Sequence, residues 1–116
     1  MTLKFDQQAL LERVDGDIEF LAETVQMLTE DCLPLIQQIK EAAASRDANA
    51  LEKSAHTLKG MFANFCAEPA VAIARELETK AREDKLADID SSVQLLQTET
   101  ELLQTALKNF LLAKKQ

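Results

Sequence analysis

From Ile18 onward, apolar residues recur at helical spacing for more than twenty residues: Phe20, Leu21, Val25, Leu28, Cys32, Leu35, Ile36, Ile39 and Ala43. Residues three and four apart share one face of an α-helix, because each residue turns the chain by about 100°. A stripe of this length predicts a long amphipathic helix that must bury one side against other helices. Nowhere does a run rich in Val, Ile and Thr, bounded by turn residues, offer a strand. The chain is therefore expected to be all-α.

The remaining elements follow from capping signals. Asp6 is placed to cap a short helix over residues 7–14, with Gly16 ending it, and Asp17 to cap the long helix. Pro34 lies inside that long stripe, which predicts a kink or a break with a restart near Asp31 and Cys32. Ser45, Arg46 and Asp47 form a polar break, and Asp47 caps a third helix to about Phe65. Glu68-Pro69 opens a fourth helix to about Arg82, since proline is favoured in the first helical turn. After a charged connection over 84–88, a last helix from about Ile89 carries Val93, Leu96, Leu103, Leu107, Phe110 and Leu111 towards a basic end, Lys114 and Lys115. Short connections between amphipathic helices predict an antiparallel four-helix bundle with a short additional N-terminal helix, one domain over residues 1–116.

Composition narrows the function classes. A chain of 116 residues with 47% hydrophobic residues is long enough to build one core without disulfides. Its net charge of −7 opposes binding to nucleic acid or to anionic membranes. The apolar stretches are short and amphipathic, and no basic region followed by an apolar core opens the chain, so a cytoplasmic protein is expected. With one histidine and two widely spaced cysteines, Cys32 and Cys66, a metal site lacks ligands. Both cysteines are expected to act as small buried hydrophobes.

One segment carries chemistry. In the third helix Leu51, Ala55, Leu58, Phe62 and Phe65 form a narrow core stripe, and His56 lies about 140° from its centre, pointing to solvent. Lys59 and Gly60 follow one turn on, Ala63 two turns on, and Lys53 precedes by three residues. An exposed helix glycine costs roughly 1 kcal/mol relative to alanine, so Gly60 invites a reason outside the chain, such as close approach by a second protein. Spacing alone fits equally an ordinary surface histidine beside a glycine kept by drift. An exposed imidazole is nucleophilic near pH 7 and forms phosphoryl intermediates, and the two lysines are placed to offset added negative charge. If the chain turns near Cys66 and Ala67, Glu78 comes level with His56, where its carboxylate can fix the imidazole tautomer.

The run Ala55-His56-Thr57-Leu58-Lys59-Gly60, with Asn64 and then Ala67-Glu68, resembles the signature of the histidine phosphotransfer (HPt) domains of bacterial multistep phosphorelays. The likeness extends to Leu10-Leu11-Glu12-Arg13, to the Ala-rich helix end before Asp47, and to Ala74-Arg75-Glu76-Leu77-Glu78. It implies that His56 is phosphorylated, that Lys59 is the cation near the phosphoryl group and that Glu78 bonds the imidazole. It further implies that Gly60 lies under a docking receiver, with Ala63 and Lys53 on the same face. Cys66 departs from the family, which usually has glycine at the end of the histidine helix, and Met61-Phe62 is bulkier than usual.

The expected activity is reversible phosphoryl transfer between His56 and the aspartates of response-regulator receiver domains, including that of a hybrid sensor histidine kinase. The chain would be a monomeric phosphocarrier without cofactors, magnesium being held by the receiver, and without a nucleotide-binding loop of its own. The competing readings are a non-catalytic helical adaptor for response regulators and a receiver phosphatase-like regulator.

Overall fold

The computed structural model describes residues 4–114. In chain order these form α1 (Gln7–Arg13), α2 (Ile18–Ser45), α3 (Ala48–Asn64), α4 (Glu68–Arg82) and α5 (Ile89–Lys114), and no strand occurs among the described residues. Lys115, expected at the basic end, lies outside them; Lys114 closes α5 and rests 5.5 Å over the Phe110 ring.

The helices begin where short acidic side chains satisfy otherwise unbonded N–H groups. Asp6 accepts from Ala9 N–H, Asp17 from Phe20 and Asp47 from Ala50, at 3.0–3.1 Å. α2 runs unbroken through Pro34, so of the two outcomes expected there, a kink or a break with a restart, the break does not occur. Pro34 and Glu30, whose carbonyl loses its donor, are both exposed, and water can take the missing bond.

Four helices end in the same reversal. Asp15, Arg46, Cys66 and Asp84 take left-handed backbone angles with φ of 53–57°, and the next residue's N–H reaches back into the last helical turn. These bonds run from Gly16 to Leu11 O, from Asp47 to Ala42 O, from Ala67 to Phe62 O and from Lys85 to Lys80 O, at 2.8–3.2 Å. Gly16 thus follows the left-handed residue that closes α1, with φ 73° of its own. Asp47 ends one reversal and caps the next helix, which makes the α2–α3 connection tight.

α2 and α4 each pack against both α3 and α5, which places α3 and α5 diagonally across the bundle. Leu21, Ile39, Leu51, Leu58, Phe62, Leu77, Leu96 and Leu107 fill the shared core. Phe5 packs edge-on against Phe110 at 5.4 Å, and Asp6 N–H donates to Cys66 O, fastening the N-terminal segment across the α3–α4 turn. Two expected core positions move outward. Phe20 is half exposed at the edge of α2, and Cys66, held by its turn, is half-buried. Cys32 is buried as expected, and burial first, then the nearby Asp31 charge, pushes its thiol up to about 11.

A non-glycine residue in the left-handed region costs roughly 1–2 kcal/mol, less for aspartate, whose side chain bonds locally. Cys66 has no such relief, so Cys66→Gly is expected to stabilise the protein by about 1 kcal/mol and raise Tm by several degrees in a thermal melt.

Candidate functional site

The site grows out of two helix faces. α3 buries Leu51, Ala55, Leu58 and Phe62, which turns His56 outward with 67% of its side chain exposed. α4 buries Ala70, Val71, Ala74, Leu77 and Ala81, and on the edge that meets α3 it buries Glu78 as well, whose side chain is only 5% exposed. The reversal at Cys66 sets the two helices in register, so that residues level across the hairpin meet.

Glu78 is the centre of the cluster. Its Oε2 is 2.7 Å from His56 Nδ1 and accepts from Arg82 Nη2 at 3.1 Å, and its Oε1 accepts from Lys59 Nζ at 2.6 Å. Arg82 Nε in turn donates to Glu52 Oε2 at 3.0 Å. Burial alone would push the Glu78 carboxyl up, because it disfavours the charged form. The hydrogen bonds and charges of Lys59 and His56 outweigh burial and hold the group below the usual carboxylate range. Its hydrogen bond to Glu52 first, and then the carboxylate charges around it, hold the Arg82 guanidinium above its ordinary value.

An ionised carboxylate accepts hydrogen bonds only, so the proton between Glu78 and the imidazole sits on Nδ1. His56 Nδ1–H donates to Glu78, which in the neutral ring leaves the lone pair on Nε2, the nitrogen away from the carboxylate. The arrangement presents an oriented nitrogen nucleophile with its conjugate proton already compensated.

Of the sequence-derived residues, His56, Lys59 and Glu78 meet directly. Lys59 spends its charge on Glu78 and does not stand free beside the imidazole. Gly60 and Ala63 are exposed on the same side of α3 as His56, and a methyl group added at Gly60 would meet nothing within 4 Å. Lys53 lines the shallow depression around His56 but is in no ion pair among the described residues. Arg82 and Glu52 were not singled out from the sequence. Each stands four residues from a recognised member, Arg82 after Glu78 and Glu52 before His56, and that spacing is the signal that finds them.

The sequence model of the Hpt domain family matches residues 23–108. The chain belongs to that family. As an Hpt domain it serves histidine phosphotransfer in phosphorelays, and its partners are phosphorelay proteins. The crystal structure of histidine-containing phosphotransfer protein B from Pseudomonas aeruginosa PAO1 is similar in fold, with a TM-score of 0.89 over 97% of this chain and 98% of that one, at 19% sequence identity. Curated protein sequences give no match. Among the described residues no helix is long and apolar enough to cross a membrane.

The lowered Glu78 pKa has a definite sign in stability. A carboxyl more acidic in the folded than in the unfolded chain stabilises fully above its unfolded value, near 4.5, and that stabilisation is lost as pH falls through the lower folded value. Urea unfolding of the protein and of Glu78→Gln is therefore expected to differ most at neutral pH, with the gap closing only below about pH 4.5.

Proposed function

We propose that His56 is the residue that carries the phosphoryl group, accepting it from one receiver domain's aspartate and returning it to another's. The observation that carries this reading is the pairing of the chain's single histidine, largely exposed, with a buried carboxylate at Nδ1, so that Nε2 is the nitrogen left to face a partner. In the forward step Nε2 attacks the phosphorus of the aspartyl phosphate in line, an N–P bond forms, and the P–O bond to the aspartate breaks with the carboxylate leaving. The ring gains positive charge, which Glu78 compensates through Nδ1–H. Lys59 keeps Glu78 ionised and Arg82 helps to hold it in place, so both cations act on the phosphoryl site through the carboxylate beneath the imidazole. Magnesium belongs to the receiver's acidic pocket in this reading, and the carrier supplies a positioned nucleophile without kinase activity of its own.

The docking face follows α3. Going round the helix from His56, Gly60 comes next, then Asn64, then Met61, which leads into an apolar groove lined also by Phe20, Met27 and Leu10. Gly60 lies one turn, about 6 Å, along the axis from His56, and its missing side chain lets a partner's backbone approach the imidazole. A receiver seated there would cover Gly60 and Ala63, with Lys53 at the margin. Receiver domains of response regulators and of a hybrid sensor histidine kinase are the partners that fit, in the cytoplasm. One chain supplies every group of the site, so the transferring unit is a monomer.

Incubation with a phosphorylated receiver and magnesium is expected to label the protein at an acid-labile, alkali-stable site and to leave His56→Gln unlabelled. Labelling of that variant would exclude His56. Loss of phosphate from the receiver with no label on this chain would instead indicate a phosphatase-like regulator. In the same assay Gly60→Gln is expected to transfer at least tenfold more slowly while melting no lower than the parent, since an exposed helix glycine costs roughly 1 kcal/mol.

A further inference from the structure

Three of the large exposed hydrophobic residues lie on the outward face of α5, on the far side of the bundle from His56: Leu95 is 52% exposed, Leu102 47% and Leu112 62%. They fall in one stripe with Thr98, Thr105 and Asn109, spaced alternately by three and four residues, as in the contact seam of a two-helix coil. The surroundings of the seam are unusual for this chain. Between Gln94 and Leu112 the outward face has nine positions, of which only Glu101 and Lys108 are charged, with opposite signs. Elsewhere the surface carries the bulk of a net −7. An acidic protein repels its own copies, and a nearly neutral face is where two of them can meet.

We infer that this face pairs with the same face of a second copy, α5 against α5, in antiparallel orientation about a two-fold axis. The charges are self-complementary only in that orientation. With the axis between residues 103 and 104, Leu95 stands opposite Leu112 of the other copy, Leu102 opposite Thr105 and Thr98 opposite Asn109. Glu101 then flanks Lys108 of the other copy, and the symmetry repeats the pair. Neither residue is in an ion pair within the chain among the described residues. A parallel pairing would place Asn109 on Asn109 and leave Glu101 and Lys108 beside uncharged neighbours. The seam spans about 27 Å of helix with three half-exposed leucines per copy, small for a stable interface, so the association is weak and depends on concentration. It revises the monomer expected from sequence only at high concentration. Both copies of His56 stay outward, and the inference does not depend on the role of that residue.

Sedimentation equilibrium of the full chain tests this. The expected result is a monomer–dimer equilibrium of a 12.9 kDa species with Kd of roughly 0.1–1 mM. Leu102→Gln is expected to weaken it at least tenfold with Tm unchanged. Glu101→Lys is expected to weaken it as well, and the double variant Glu101→Lys, Lys108→Glu to restore it. A single monomeric species up to 1 mM overturns the inference. So does a dimer that Leu102→Gln leaves intact, or a charge reversal that the double variant fails to rescue.

Discussion

A single carboxylate, buried at the seam between α3 and α4, is the interaction on which the site depends. An isolated buried charge is costly, and Glu78 is tolerated there because both of its oxygens are bonded, one to Lys59 and the other to His56 and Arg82. Its ionisation fixes the imidazole tautomer, and the tautomer decides which nitrogen faces a partner. The cations are as necessary as the acid: without them burial would push Glu78 towards its neutral form, which could donate a proton and reverse the polarity of the bond to His56. What looks like a lone surface histidine is one exposed end of a network that runs through the buried Glu78 and the partly buried Lys59.

The backbone holds that network in register through the α3–α4 hairpin. Its turn closes with Cys66 in a left-handed conformation, between the Cys66 N–H bond to Ala63 and the Ala67 N–H bond to Phe62. Asp15, Arg46 and Asp84 repeat the geometry at the other reversals, so the fold uses a glycine-type helix end four times with a non-glycine residue entering the left-handed region first, and only after α1 does a glycine, Gly16, follow it there. Because the same hydrogen bonds form at each, backbone bonding and packing outweigh the local conformational cost. The departure from the family at Cys66 is thus a cost in stability and leaves the geometry of the site in place.

Much of this was legible in the sequence, for reasons that differ by residue. Asp6, Asp17 and Asp47 announce helix starts because a short acidic side chain bonds the free N–H groups behind it. The direction of His56 follows from counting 100° steps against Leu51, Ala55, Leu58 and Phe62, and its meeting with Glu78 from counting out from the turn. Of the kink or break foreseen at Pro34 the break does not occur, and Pro34 and Glu30 are both exposed, where water can serve the freed carbonyl. Phe20 belongs to the apolar periodicity, yet periodicity does not say how far neighbouring helices wrap around the stripe. The burial of Glu78 was not legible, since a glutamate inside a charged stretch reads as surface until its cations are placed around it. Lys59 was expected beside the phosphoryl group for its charge, whereas its shortest bond is to the acid beneath the histidine.

The central claim, that Glu78 holds His56 with Nδ1 protonated and Nε2 free, is open to direct measurement because the chain has one imidazole. Long-range 1H–15N correlation spectra of the uniformly labelled protein just above neutral pH distinguish the two ring nitrogens. The account predicts a protonated Nδ1 and an unprotonated Nε2 in the protein, and loss of that single tautomer in Glu78→Ala. A spectrum with the proton on Nε2, or a tautomer mixture unchanged by removal of Glu78, would contradict it.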